Sequence, residues 1–187
     1  MHAISRACFF QLRQLRSIRR AVDTGTASSL VHTFVSSRLD YCNSLLASTP
    51  KVVPDVLQNL QNAATRLLTG YSRRQHGIYK LVCEKPHWLS IHDRMKFKLC
   101  LLVYKSLHSL APGYKSELCV PVSNNEHRTR LRSAQHRDLI AQRVKLTKYG
   151  QRAFAGPSAW NCLPTQLKDY NLSLKVFKSG LETHFFS

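Results

Sequence analysis

Nine histidines and six cysteines are the side chains most able to ligate a metal or attack an electrophile, so their spacing decides whether such chemistry is encoded. The tightest grouping is Cys83, His87 and His92. Pro86 interrupts any continuous helix that would bring Cys83 and His87 to one face, and the grouping reads as a buried thiol beside hydrogen-bonded imidazoles. The cysteines stand at 8, 42, 83, 100, 119 and 162 with no C-x-x-C pair. Neither a zinc finger nor a disulfide framework is signalled, and reduced thiols of an intracellular protein are expected. Two-metal phosphoryl transfer needs carboxylates converging on ions about 4 Å apart. Here no two of the ten acidic residues are neighbours. Asp40, inside Arg38, Leu39, Asp40, Tyr41, Cys42 and Asn43, is the most conspicuous acid, and its helical context reads as a salt bridge or cap. No G-x-S-x-G, G-x-G-x-x-G, P-loop or H-E-x-x-H occurs. No catalytic residue, metal site or cofactor is nominated.

The chemistry that remains is electrostatic. Lysine and arginine total 28 against 10 acids, a formal net charge of +18, and the pI is near 10.2. Such a chain repels itself unless an anionic partner is present. Arginine forks pair bidentately with phosphate, and several together release many counterions at once. The candidate nucleic-acid-binding residues are Arg13, Arg16 and Arg20 near the start, Arg73 and Arg74, and the run Arg128, Arg130, Arg132, Arg143, Lys145, Lys148 and Arg152. Arg137 lies in the same run, which Asp138 alone opposes. The plainer alternative is a solvated basic face. Trp88, Trp160 and Tyr149 are able to stack on bases, although both tryptophans sit among Pro, Leu and Ile and read as core.

These residues need elements to position them. Ile4, Cys8, Leu12, Leu15, Ile18 and Val22 recur at helical steps and predict an amphipathic helix over 3–22, with Arg6, Arg13, Arg16 and Arg20 on its other face. A second stripe runs through Leu30, Val31, Phe34, Val35, Cys42, Leu45 and Leu46 until Pro50. Pro54 suits the first turn of a third helix, buried through Leu57, Leu60, Ala64, Leu67 and Leu68 and closed by Gly70. Residues 1–70 therefore predict a three-helix bundle. A short helical piece is expected around Ile78 to Cys83. The longest helix follows, with Ile91, Met95, Leu99, Leu102, Val103 and Leu110 on one side, ended by Pro112 and Gly113. A further turn over 114–120, a basic linker over 121–152, short strands or extended loop at 139–146 and 152–155, and a helical turn from Gly156 to Leu163 come next. Ser173 caps a last helix carrying Leu174, Phe177, Leu181 and Phe185. The fold class is mainly α, with 71–187 as a helical extension.

With 187 residues, 43% of them hydrophobic, and 7 glycines and 7 prolines, the chain can build a core. Its longest apolar run, Leu99 to Tyr104, is far short of the ~20 residues that cross a bilayer, so no membrane partner is expected. Residues 1–22, Arg-rich and acid-free, also look like a mitochondrial presequence.

Several blocks together carry a resemblance. LVHTFVSSRLDYCNSLL at Leu30–Leu46, LQNLQNAATRLLTG at Leu57–Gly70, HWLSIHDRMKFKLCLLVYKSLHSLAPGY at His87–Tyr114, RLRSA at Arg130–Ala134, KYGQRAFAGPSAWNCLP at Lys148–Pro164 and the terminal FKSGLETHFF resemble, in order, the C-terminal part of the polyproteins of non-LTR retrotransposons (LINE elements) of the jockey and chicken-repeat type. The similarity covers nearly the whole chain. Ser90 departs from it, standing where the family's HWLP block has proline.

The resemblance implies the region after the palm of an RNA-directed DNA polymerase (reverse transcriptase): thumb-like helices, then a C-terminal helical extension. The family's endonuclease, and the palm whose paired aspartates hold magnesium, precede that region, so no catalytic residue carries over. Met1 would fall in the helix after the palm, as in a 5′-truncated copy. The implied partners are RNA or RNA/DNA hybrid, bound without sequence specificity, and the polymerase palm where it is supplied in cis. A nuclear or cytoplasmic location follows. The alternative is a structural RNA-associated protein of mitochondria, of ribosomal type, imported through residues 1–22.

Overall fold

A computed structural model describes residues 2–41, 43–47, 49–71, 77–78, 82, 88–128, 130–141 and 155–186. Its described residues are mainly helical, with no strand among them. The α-helices are α1 (His2–Ile18), α2 (Thr24–Val31), α3 (Ser37–Asp40), α4 (Val52–Thr69), α5 (Ile91–Leu107), α6 (Gly113–Ser116), α7 (Arg132–Gln135), α8 (Gly156–Asn161) and α9 (Leu174–Phe186). They fall into two compact units, Met1–Arg94 and Met95–Ser187, with the boundary in the first turn of α5.

In the first unit α1 and α4 pack on each other and on the α2 region. Cys8, Leu12 and Leu15 of α1 meet a core that includes Val31, Val35, Leu39, Leu57, Leu60, Ala64 and Leu67. The expected α1 stripe holds at its centre, whereas Ile4 and Ile18 are exposed, because the buried face is narrower than the apolar spacing. The Asp23 carboxylate accepts from the Thr26 amide at 2.9 Å and caps α2. Hydrogen bonding from Thr26, its side chain first and then its amide, holds the Asp23 carboxyl below its ordinary pKa. The cap thus stabilises the fold above about pH 3.9 and withdraws as pH falls through the lowered value. After Val31 the chain loosens into one π-helical stretch, His32–Ser36, before α3. The second helix stops at Asp40, Leu45 of its expected stripe is exposed, and Cys42 lies outside the described residues. Gly70 closes α4 at φ 73°, left-handed backbone that glycine adopts without the penalty of a Cβ.

The compact unit runs past residue 70 because α4 holds the entry to α5 with two side-chain amides. Gln61 Nε2 donates to Leu89 O at 2.8 Å, and Gln58 Oε1 accepts from the Ile91 amide at 2.9 Å. Ser90 caps α5: its Oγ accepts from the Asp93 amide at 3.1 Å and donates to the Asp93 carboxylate at 2.5 Å. Serine at this position supplies an acceptor for an orphan amide, which proline lacks.

Arg19 is a structural arginine. It shares a face with Leu12 and Leu15, and its guanidinium donates to Leu67 O at 3.2 Å, Leu68 O at 3.3 Å and Val22 O at 3.0 Å. The first two are unpaired carbonyls at the C-terminus of α4, where a cation also meets the negative end of the helix dipole. Arg19→Ala is expected to cost about 2 kcal/mol in urea unfolding, with Arg19→Lys intermediate because an ammonium cannot fork.

The second unit is built around α5. Cys100, Val103 and Tyr104 pack with Cys119, Leu139, Trp160, Leu163, Phe177 and Leu181. Tyr104 stacks between Phe177, at 4.3 Å between centroids, and His108, at 3.9 Å. Its hydroxyl donates to Leu172 O. Helix α5 ends at Leu107, short of the expected stop at Pro112. Ser109 takes φ 56° and the Leu110 amide reaches back to Lys105 O at 2.8 Å, a Schellman closure that leaves Leu110 exposed.

Of the short strands expected at 139–146 and 152–155, residues 142–146 and 152–154 lie outside the described residues. Leu139 forms an isolated antiparallel bridge with Pro121. Its own amide and carbonyl pair with the Asn161 side chain at 2.8 and 2.9 Å, so one amide side chain completes what a strand would otherwise supply.

Burial pushes the thiols of Cys8 and Cys119 above their ordinary pKa, and that of Cys100 up to about 12, through burial first and then the nearby Cys162. Cys162 is exposed. A maleimide is therefore expected to modify Cys162 promptly in the native chain and Cys8, Cys100 and Cys119 only on unfolding. Tryptic mapping of the adducts checks this, and prompt labelling of Cys100 would contradict the packing.

Candidate nucleic-acid interface

Five aspartates among the described residues have partners of their own. Asp40 accepts from Arg94 Nη1 at 3.0 Å, which makes it the structural salt bridge that its helical context predicts. Asp93 is taken by Ser90, and Asp23 by the α2 cap. Asp138, the acid set against the basic run, accepts from Lys168 Nζ at 2.7 Å, and Lys168 also donates to Asn161 O at 3.0 Å. Arg137 donates to Asp169 at 2.5 Å and lies over the Tyr170 ring at 5.3 Å. Arg137 is thereby withdrawn from the basic run into the fold, and the bond holds the Asp169 carboxyl below its ordinary pKa.

Against this, Arg6, Arg13, Arg16 and Arg20 are exposed. Arg6 and Arg13 follow one line of α1 at helical spacing, with Arg16 beside it, and Arg20 lies in the turn just past the helix. None of the four forms an ion pair with a described residue. Arg19, next in sequence to Arg20, is half-buried and turns instead to the end of α4. The same face carries two residues that the sequence reading passed over. Phe9 and Phe10 are 40% and 54% exposed and flank the arginine line on either side. Their positions outside the Cys8, Leu12 and Leu15 stripe were the available signal.

In the second unit, Arg130 and Arg132 are exposed on either side of the entry to α7. Arg128 closes a 3-10 turn, Glu126–Arg128, and its side chain lies outside the description. Arg73, Arg74, Arg143, Lys145, Lys148 and Arg152 lie outside the described residues, as do Tyr149, Cys83 and His87. His92 is exposed. Among the described residues no group of three histidine, cysteine or acidic side chains is placed to hold a metal.

Trp160 is buried, and its Nε1 donates to Arg137 O at 3.1 Å, so it belongs to the core and not to a stacking surface. Trp88 is half-buried with the Arg94 guanidinium 5.9 Å from its ring centre. Trp160 therefore serves packing, and Trp88 a cation–π contact with Arg94.

No protein-family model, curated protein or solved structure matches this chain. The geometry has to carry the reading alone. What it offers is an exposed helical face with Arg6, Arg13 and Arg16 along it and Phe9 and Phe10 between them. No described helix is long and apolar enough to cross a membrane.

Proposed function

We propose that this chain is a non-catalytic gripping module for nucleic acid, the thumb-like and C-terminal helical region of a non-LTR retrotransposon reverse transcriptase. It holds template RNA or RNA/DNA hybrid through its basic helices. Nucleotide addition and its magnesium belong to the palm, which the resemblance puts ahead of this region. A nuclear or cytoplasmic setting, where RNA and reduced thiols coexist, fits the exposed Cys162.

The observation that carries this reading is the one-sided use of charge. Asp23, Asp40, Asp93, Asp138 and Asp169 are each engaged in a cap or an ion pair, while Arg6, Arg13, Arg16 and Arg20 face solvent together. A polyanion laid on α1 meets exposed guanidinium groups with no competing carboxylate on that helix. Contacts of this kind fix position and supply affinity without reading sequence.

The presequence alternative asks residues 1–22 to be removable. Cys8, Leu12 and Leu15 are built into the first core, and Arg19 binds the end of α4. Removing α1 would expose that core, which supports its place as a permanent helix.

The experiment is a comparison of RNA with a peptide nucleic acid of identical bases and uncharged backbone, titrated against the full chain at low salt. Binding of the RNA and none of its uncharged counterpart is expected. Equal affinity for both, or for neither, would defeat the proposal.

A further inference from the structure

We infer that the exposed face of α1 recognises unpaired nucleotides, with Phe9 and Phe10 as stacking platforms for bases and Arg6, Arg13 and Arg16 as clamps on the flanking phosphates. The inference rests on the polyanion-binding reading above and deepens it, since phosphate contacts alone would not distinguish a single strand from a duplex.

Three observations support it. First, two adjacent phenylalanines stand 40% and 54% exposed on a helix whose core-facing stripe is already complete in Cys8, Leu12 and Leu15. Leaving that much aromatic surface in water is unfavourable unless a partner covers it. Second, Phe9 and Phe10 sit one on each side of the line through Arg6 and Arg13, which are two turns apart, or roughly 10 Å along the axis. A strand running along α1 therefore meets guanidinium, ring and guanidinium in turn, the alternation that sequence-tolerant single-strand binding uses. In a duplex the base faces are covered by their neighbours and offer nothing to a phenyl ring.

Third, the arrangement does not suit a lipid surface. A helix lying in a membrane interface buries one continuous apolar face. The continuous apolar face of α1 is inside the protein. Its exposed apolar residues are split, with Ile4 and Ile18 on one flank and Phe9 and Phe10 divided by the arginine line.

The test uses the full chain and a labelled oligouridylate of about 12 nucleotides, within the span a single-strand site covers. Its partner probe is a ribose-phosphate strand of equal length without bases. Fluorescence anisotropy at low salt gives the affinity ratio of the two. The wild-type chain is expected to favour the base-bearing strand by roughly tenfold or more, and Phe9→Ala/Phe10→Ala is expected to bring that ratio close to one with an unchanged circular dichroism spectrum. A wild-type ratio already near one overturns the stacking inference and leaves the polyanion reading standing. Failure to bind either strand overturns both. Vesicles of phosphatidylcholine and phosphatidylserine form the last arm: Phe-dependent binding to them, without a preference for the base-bearing strand, would assign the face to lipid and overturn the inference.

Discussion

Replacing Asp138 by asparagine is expected to destabilise the second unit by about 3–5 kcal/mol, the cost of leaving a buried cation without its counter-charge. The substitution preserves shape, and the carbonyl of asparagine can still accept from Lys168. What it removes is the charge. The Lys168 side chain is 2% exposed, whereas that of Asp138 is 20% exposed, so the two partners are not equivalent. With Asp138 neutralised, the buried ammonium keeps only neutral acceptors, Asn161 O and the new amide oxygen. Lys168→Met leaves a carboxylate that can rehydrate, and its cost is expected to be clearly smaller. Urea unfolding of both variants measures the difference. Equal losses would mean that the pair is more open than its geometry shows.

Reversing the charges at Arg13, Arg16 and Arg20 has the other large effect, on binding. Each exposed guanidinium beside a phosphate is worth about 1 kcal/mol in a watery setting. Losing three attractions therefore weakens RNA binding roughly a hundredfold, and the new repulsions add to it. Fold stability should change little, because the three side chains are exposed and pair with no described acid. Arg19→Ala is the informative contrast, with lower stability and nearly unchanged RNA affinity. If Arg19→Ala weakened binding as much as the triple reversal did, the division of arginines into clamp and scaffold would be wrong.

That division shows where sequence was legible and where it was not. Period 3.6 located Leu57, Leu60, Ala64 and Leu67 on one face of α4, and Gly70 marked its end through a backbone conformation that other residues resist. The same period places Arg19 with Leu12 and Leu15, four and seven residues away. An arginine at that position follows the buried stripe although its type suits the surface. At the end of α5 the governing signal was Ser109 in a left-handed conformation, a residue with weak intrinsic preference for it, so Pro112 looked like the stop. The amides of Gln58 and Gln61 fix the approach to α5. That role depends on backbone groups far away in sequence, which no local pattern encodes.

The proposed interface was legible in charge but not in its aromatic component. Arg13 and Arg16 stand out because no acid interrupts residues 1–22. Phe9 and Phe10 become visible only when the buried stripe is seen to be complete without them. Asp138 showed the reverse error: it looked like the single neutraliser of the basic run, and the fold instead turns it toward Lys168.

The salt dependence of RNA binding by the full chain tests the central claim most directly. For a single strand, each phosphate neutralised contributes about 0.7 to the slope of log affinity against log salt. The wild-type chain should show a steep negative slope, and Arg13→Gln/Arg16→Gln/Arg20→Gln should flatten it by about 2. A wild-type slope near zero, or a triple variant with the wild-type slope, would contradict the account.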